Sequence, residues 1–172
     1  DNTRDVFAIN LSGQSIADDN LLHRVKQLLD RHAIAAQSIC FEITETAAIS
    51  NLSQAQLFVN ELGKLGCRFA LDDFGSGLSS FAYLKALPVD YLKIDGAFVK
   101  DMVRDPIDRA MVESIHNIGN VLNLKTIAEF VEDDDILAAL REVGVDFGQG
   151  YGIARPRALP TDGSELYGIT RA

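Results

Sequence analysis

The sequence "RFALDDFGSG", residues 68–77, joins an apolar run to two adjacent carboxylates and a glycine-rich turn. Phe69, Ala70 and Leu71 are typical of a buried strand, whereas aspartate is disfavoured in strands and neighbouring carboxylates repel each other. A solvated turn explains the pair, because aspartate and glycine are ordinary turn residues. A cation bound between the two carboxylates explains it equally well. The pair alone does not decide between the two explanations.

Strand-like and helix-like segments alternate on both sides of this stretch. Short runs rich in β-branched and aromatic residues are each followed by an amphipathic segment or, at the end, by a loop. The six predicted strands are "VFAIN" (6–10), "SICFEIT" (38–44), "CRFALD" (67–72), "VDYLKID" (89–95), "LKTIAE" (124–129) and "VDFGQG" (145–150). The predicted helical segments are 20–32, 52–62, 78–87, 107–122 and 132–144. This alternation predicts an α/β fold with parallel strands, and both an open sheet and a barrel satisfy it.

Polar residues with binding or catalytic chemistry stand at or just after the carboxyl end of every predicted strand. In parallel α/β folds these ends lie on one side of the sheet, where active sites are found. Glu42 and Thr44 share one face of the second strand because side chains alternate with a period of two. Six consecutive strands with such endings favour a functional site over six unrelated turns. The residues are Asn10, Glu42, Thr44, Asp72, Asp73, Lys93, Asp95, Glu129 and Gln149.

The oxygen-bearing members of this set predict a site for divalent cations. They include no His or Cys, and oxygen ligands favour Mg²⁺ or Mn²⁺ over Zn²⁺. Four carboxylates brought together also require cations, because uncompensated charges are costly. Two ions about 3.5–4 Å apart can hold a phosphodiester and activate water, and a carboxylate shared between them explains the adjacent aspartates. Lys93 would orient that water or stabilise developing charge. The proposed ligands are Asn10, Glu42, Asp72, Asp73 and Glu129.

The composition is that of a single globular domain. The chain has 172 residues and a formal net charge of −9, which argues against a general DNA-binding surface. No apolar run approaches the roughly 20 residues that span a bilayer, so we expect a cytoplasmic location, with any membrane anchor elsewhere in the parent protein. Cys40 and Cys67 lie in apolar runs and are interpreted as core residues. The three histidines, His23, His32 and His116, are expected to be solvated.

Six motifs occur in an order and spacing that resemble the EAL-domain family. They are "NLS" at Asn10, "FEITE" at Phe41, "LDDFGSGLSS" at Leu71, "LKID" at Leu92, "IAE" with "VE" from Ile127, and "GQGYG" at Gly148. Members of this family are bacterial phosphodiesterases that hydrolyse the second messenger cyclic di-GMP to linear pGpG with Mg²⁺ or Mn²⁺. The resemblance runs from residue 6 to residue 156. It implies a modified (β/α)8 barrel of the TIM type.

The resemblance also implies a role for each residue at the strand ends. One metal ion would be bound by Asn10, Glu42 and Asp72. Asp72 would bridge to a second ion, whose site is completed by Asp73 and Glu129. Lys93 would hold the hydrolytic water. The implied catalytic residues are Lys93, Glu129 and Gln149; Asp95 and Gln149 would bind or support the substrate; and Thr44 and Glu45 would stabilise the loop after Asp73.

Cyclic di-GMP is the implied ligand of the parent protein. The family further implies a homodimer, formed through the loop and the helix after Asp73, and fusion to GGDEF or sensory domains. The alternative is a catalytically impaired receptor that binds cyclic di-GMP without cleaving it. The presence of the metal ligands together with Lys93 favours the enzyme, because a receptor does not need a hydrolytic set.

Two features depart from the family pattern. The Glu-Ala-Leu segment, which supplies another metal-binding Glu and a nearby substrate-binding Arg, is missing from the sequence. We therefore expect one N-terminally truncated domain over residues 1–172, with about six of the eight strands and an irregular tail at 157–172. In addition, Phe130 stands where the family usually has Gly, directly after Glu129. Its ring is expected either to crowd the second metal ion or to pack outward.

Overall fold

The computed structural model describes residues 6–76, 81–156 and 170–171, which form an α/β fold. The strands are β1 (Phe7–Leu11), β2 (Ile39–Thr44), β3 (Arg68–Phe74), β4 (Tyr91–Ile94), β5 (Lys125–Ala128), β6 (Phe147–Gly148) and β7 (Thr170–Arg171). The α-helices are α1 (Gly13–Ile16), α2 (Leu21–Arg31), α3 (Glu45–Ser50), α4 (Leu52–Gly63), α5 (Gly96–Val99), α6 (Pro106–Val121) and α7 (Asp134–Val143). Two 3-10 helices span Ala36–Ser38 and Phe81–Ala86. No helix within the described ranges combines the length and the apolar character needed to cross a bilayer.

All six predicted strands are present, which confirms the α/β class, but three details differ from the prediction. The segment predicted as a helix at 78–87 forms a 3-10 helix from residue 81, and residues 77–80 lie outside the described part. The tail expected to be irregular contributes β7, which pairs antiparallel with β6. Three short helices follow strands without a periodic apolar signal. They begin at side-chain caps, where Ser12, Thr44 and Asp95 accept hydrogen bonds from main-chain N–H groups.

The chain divides into two compact units, one formed by Asp1–Asp72 with Gly77–Tyr91 and one by Asp73–Ser76 with Leu92–Ala172. In the first unit β1 and β2 are parallel, as are β2 and β3. The core of that unit is organised around three aromatic rings. Phe41 lies with its ring centroid 5.6 Å from those of Phe58 and Phe69, and the Phe58 ring meets the Phe69 ring edge-on. Aromatic pairs at such distances and angles stabilise a core beyond their buried area.

In the second unit β5 and β6 are parallel, and Glu129 N–H, just after β5, donates to the Ile94 carbonyl at the end of β4 at 3.3 Å. Helix α7 has an acidic first turn, an Asp133 cap and a left-handed Gly144 at its end. These features match the charges of the helix dipole and the preference for glycine at a helix end. Continuous apolar runs therefore form the strands of this unit, and capped amphipathic segments form its helices.

An aspartate at the start of a strand bonds to the neighbouring strand in each unit. In the first unit the Asp90 carboxylate accepts from Phe69 N–H at 2.8 Å, and Asp90 N–H donates to the Phe69 carbonyl. In the second unit the Asp146 carboxylate accepts from Thr126 N–H at 2.9 Å. Both aspartates follow valine and precede an aromatic residue, in "VDY" and "VDF". The carboxylates satisfy main-chain donors that would otherwise lack a partner at the strand start.

His116 of α6 is buried, so the expectation that all three histidines are solvated was wrong for this one. Its ring lies in a chain of hydrogen bonds. Asn120 faces Nε2 at 2.9 Å, Nδ1 faces the Thr126 hydroxyl at 2.9 Å, and that hydroxyl donates to Asp146. A neutral ring with the proton on Nδ1 satisfies every member of this chain. Burial lowers the pKa of His116, and this outweighs the opposite effect of the Asp146 charge.

We expect the 172-residue chain to self-associate through β1. Among the described strands β1 pairs only with β2, and Phe7 and Ile9 are exposed. An exposed apolar strand edge is a template for pairing with another chain. The Ile9→Lys variant should therefore show less oligomer than the wild type in analytical ultracentrifugation. Val121→Lys, which changes an exposed apolar residue of α6, is the matched control and should associate as the wild type does. A monodisperse wild-type monomer would contradict this expectation.

We also expect acid to destabilise the protein through His116. Because the folded pKa is lowered, the unfolded chain binds the proton at higher pH, so this contribution to stability is complete above pH about 6.5 and is lost as pH falls below that value. His116→Gln should reduce the fall in Tm between pH 7.5 and pH 5.5, measured by thermal denaturation. His32→Gln changes an exposed histidine and should keep the wild-type fall. Identical pH dependence in both variants would show that His116 does not control it.

Candidate metal centre

The first unit brings together three oxygen-bearing side chains that the sequence predicted as ligands. Asn10 is the register partner of Glu42, and Glu42 is the partner of Ala70. Asp72 stands two residues after Ala70, so Asn10, Glu42 and Asp72 lie on the same face of neighbouring parallel strands. Glu42 is 7% exposed and Asp72 is 8% exposed. Two buried carboxylates and an amide therefore share one face at the carboxyl ends of β1, β2 and β3.

Asp73 has a backbone conformation that few non-glycine residues adopt. Its φ is 54°, in the left-handed region. In an extended strand consecutive side chains point to opposite faces, so two adjacent aspartates would be separated by the sheet. The left-handed residue ends this alternation directly after Asp72. Within the second unit, Asp73 and Glu129 each present a carboxylate oxygen, and these atoms lie within 4.8 Å of each other.

Lys93 and Glu129 form a buried ion pair in the second unit. Lys93 Nζ lies 2.8 Å from Glu129 Oε1, and their side chains are 4% and 13% exposed. Lys93 lies in β4, and Glu129 follows β5. Transfer of either charge to this environment alone would be costly, so each depends on the other for compensation. The Lys93 ammonium therefore lies at the Glu129 carboxylate, which is also the carboxylate near Asp73.

Two further residues expected near the substrate differ in their surroundings. Asp95 caps α5, since its Oδ1 accepts from Ala97 N–H at 2.8 Å. Gln149 has an exposed side chain, while its N–H donates to the Ala128 carbonyl and its carbonyl accepts from Val131 N–H. The main chain of Gln149 is thus held beside the end of β5. Asp95 is already engaged in a structural hydrogen bond, and a substrate role for either residue stays a prediction.

Thr44 and Glu45 occupy the turn between β2 and α3. The Thr44 hydroxyl accepts from Ala47 N–H at 3.3 Å and caps the helix. Glu45 is buried and accepts a hydrogen bond from the Tyr83 hydroxyl at 2.9 Å. Burial raises the pKa of Tyr83, and the hydrogen bond to Glu45 raises it further. Their expected role in stabilising the loop after Asp73 stays a prediction, because residues 77–80 lie outside the described part.

Tyr83 is the residue of this region that sequence reasoning missed. It lies in the 3-10 helix that follows residues 77–80, in the segment interpreted only as an amphipathic helix. Its hydroxyl reaches a carboxylate 38 residues earlier in the chain. The buried position of Glu45 directly after a strand is a signal that a donor must exist, but neither spacing nor periodicity identifies which residue supplies it.

Phe130 also has a left-handed backbone, with a φ of 52°. Its ring packs on Gly96 at the start of α5, and Lys100 Nζ lies 4.2 Å from the ring centroid. The residue is 51% exposed. The exposure agrees with outward packing of the ring, and crowding of a second metal ion stays a prediction.

Among known protein families, the EAL domain matches residues 1–156 of this chain. This match agrees with the motifs and with the geometry of the site. The chain belongs to the EAL-domain family. EAL domains have a TIM-barrel-like fold, and all six expected strands are present with helices between them, so the expected α/β fold class is confirmed.

Three relatives illustrate the similarity of this EAL chain to known proteins. Cyclic di-GMP phosphodiesterase PdeB of Shewanella oneidensis is 45% identical over 153 residues, which are 89% of this chain and 18% of the relative. Cyclic di-GMP phosphodiesterase PdeF of Escherichia coli is 40% identical over 89% of this chain and 20% of its own. The structure of the PaMucR phosphodiesterase in complex with c-di-GMP is 35% identical and covers 88% of this chain and 61% of that one, with a TM-score of 0.83. The chain thus spans about a fifth of the curated relatives' length.

Proposed function

We propose that this chain forms part of a metal-dependent phosphodiesterase that hydrolyses cyclic di-GMP to linear pGpG. The observation that carries the proposal is the shared face of Asn10, Glu42 and Asp72 at the carboxyl ends of three parallel strands. The curated relatives PdeB and PdeF, named as cyclic di-GMP phosphodiesterases, support the substrate. A homodimer and fusion to GGDEF or sensory domains belong to the same proposal, and the greater length of the relatives supports the fusion.

The residues present fit two hard divalent cations, Mg²⁺ or Mn²⁺. The donor set consists of carboxylate and amide oxygens, which these ions prefer. Buried Glu42 and Asp72 share a face and favour a compensating cation. We assign Asn10, Glu42 and Asp72 to the first ion, and Asp73 and Glu129 to a second ion that also uses Asp72. Ions bound there would polarise the phosphodiester and lower the pKa of a bound water.

Lys93 is assigned to the water and to the charge that develops on the phosphoryl group. An ammonium has three N–H donors, so Lys93 can bind Glu129 and also orient a water oxygen toward phosphorus. Hydrolysis adds this oxygen to phosphorus, breaks the bond to the 3′ oxygen and returns a proton to that oxygen. The 5′-phosphate of pGpG remains. The positive charge of Lys93, held in a buried position, stabilises the additional negative charge of the transition state.

A receptor that binds cyclic di-GMP without cleaving it is the alternative. The ion pair between Lys93 and Glu129 favours the enzyme, because a binding site for an intact diester has no need of a buried lysine at a metal ligand. Product formation distinguishes the two functions.

We expect the full-length natural protein that contains this chain to form pGpG from cyclic di-GMP when Mn²⁺ is present. Chelation of the metal with EDTA should abolish the product, and addition of excess Mn²⁺ should restore it. Chromatography of the nucleotides measures both results. Tight binding of cyclic di-GMP with no pGpG after hours of incubation would establish the receptor instead.

We expect the adjacent aspartates to be unequal in their contributions. Asp72→Asn should weaken both ions and remove nearly all activity even at high metal concentration, because Asp72 is assigned to both. Asp73→Asn should retain the first ion and lower turnover. Lys93→Met should retain metal binding and lower kcat. Mn²⁺ occupancy, Tm and pGpG formation are the measurements, with exposed Asp101→Asn as the control.

If the aspartates were ordinary turn residues, both Asn variants would behave like Asp101→Asn. Their stability would then change by no more than about 0.5 kcal/mol, as is usual at surface sites. Normal activity in both variants would contradict the two-ion assignment.

A further inference from the structure

Phe130 combines an unfavourable backbone with an exposed ring, beside a residue assigned to the metal. Left-handed φ values are disfavoured for side chains larger than glycine, and such conformations persist only when the surroundings enforce them. Apolar rings are also normally buried, whereas half of Phe130 is exposed. Neither feature stabilises the fold by itself. The contacts of the ring therefore need to explain why this conformation is held.

Two contacts in the second unit hold the ring. It lies against Gly96, where an added Cβ would overlap the ring atoms of Phe130. Lys100, one turn further along the chain, places its ammonium 4.2 Å from the ring centroid, within the range of a cation–π interaction. Gly96 is buried at the first position of α5, directly after the Asp95 cap. The ring thus joins the residue after Glu129 to the start of the helix after β4.

The main chain on both sides of Phe130 is fixed by hydrogen bonds. Glu129 N–H donates to the Ile94 carbonyl at 3.3 Å, and Val131 N–H donates to the Gln149 carbonyl at 3.1 Å. The Glu129 side chain meets Lys93, while the Phe130 ring meets Gly96 and Lys100. Rotation of the main chain at residue 130 would move the adjacent Glu129 carboxylate. Contacts that fix the ring therefore also restrict that carboxylate.

We propose that Phe130 is a positioning residue for Glu129, held by the contacts of its ring with Gly96 and Lys100. This inference rests on the proposed function in one respect, the assignment of Glu129 to a metal ion. Glycine is required at position 96 because Phe130 is present, and the two positions should therefore be energetically coupled. Coupling of contacting residues is detected by a double-mutant cycle.

The test compares Gly96→Ala, Phe130→Ala and the double variant in the full-length natural protein that contains the chain. Gly96→Ala forces the ring away, and Phe130→Ala removes the ring while a Cβ still disfavours the left-handed backbone, so each should raise the Kd for Mn²⁺ by about tenfold, as loss of a supporting contact does at metal sites. In the double variant the added Cβ has space, so Gly96→Ala should cause no further loss. Phe130→Tyr keeps the ring and should keep the wild-type Kd. Asn123→Gly, which replaces another left-handed residue, is the matched control.

Calorimetric Mn²⁺ binding and Tm separate positioning from simple stabilisation. A purely structural role would lower Tm while leaving the Kd of the folded protein unchanged, and that result would overturn the inference. Additive effects of the two substitutions on Kd would also overturn it. If the wild type binds Mn²⁺ with the predicted coupling but forms no pGpG, the proposed function fails and the positioning role stands. If the wild type forms pGpG and Phe130→Ala leaves Kd unchanged, the positioning role fails and the function stands.

Discussion

The parallel register of β1, β2 and β3 is the constraint on which the candidate site depends. Phe41 and Phe69 are register partners, with ring centroids 5.6 Å apart. Glu42 follows the first of these rings, so it points to the opposite face, which it shares with Asn10 and Asp72. A slip of β2 by one residue would bury Glu42 among the rings and expose Phe41. Aromatic packing on one face therefore fixes the position of the carboxylates on the other.

Charge compensation is the second constraint, and in the second unit it does not require a metal ion. Lys93 binds Glu129 through Oε1, whereas a carboxylate has two oxygens and about four lone pairs. The Glu129 carboxylate can therefore pair with Lys93 and still accept further bonds. Loss of one partner of a buried pair leaves an uncompensated charge, which is more costly than replacement of both. The Lys93 ammonium therefore compensates the charge of Glu129 without using all of its acceptor sites.

The sequence was sufficient to predict the strands and the polar residues at their carboxyl ends, because both depend on local pattern. Near-continuous apolar runs indicate buried parallel strands, and the polar residue at each end follows from the chain order. Contacts between distant residues were beyond this reasoning. The hydrogen bond from Tyr83 to Glu45 and the burial of His116 against Thr126 are set by packing, and no periodicity encodes them. The left-handed backbone at Asp73 was also missed, since aspartate adopts this conformation only in some contexts.

The aspartates show why residue type alone could not separate structure from chemistry. Asp90 and Asp146 stand at the amino ends of strands, where main-chain N–H groups bind their carboxylates. Burial raises the pKa of Asp146, but the hydrogen bonds from Lys125 and Thr126 lower it by more, so its pKa is lowered overall. Such a carboxylate has no need of a metal ion, because Lys125 and the Thr126 donors already compensate its charge. Asp72 and Asp73 stand at the carboxyl end of β3, where carbonyl groups rather than N–H groups face outward. The end of the strand at which each of these four aspartates stands therefore decides whether main-chain N–H groups of the neighbouring strand are available to its carboxylate.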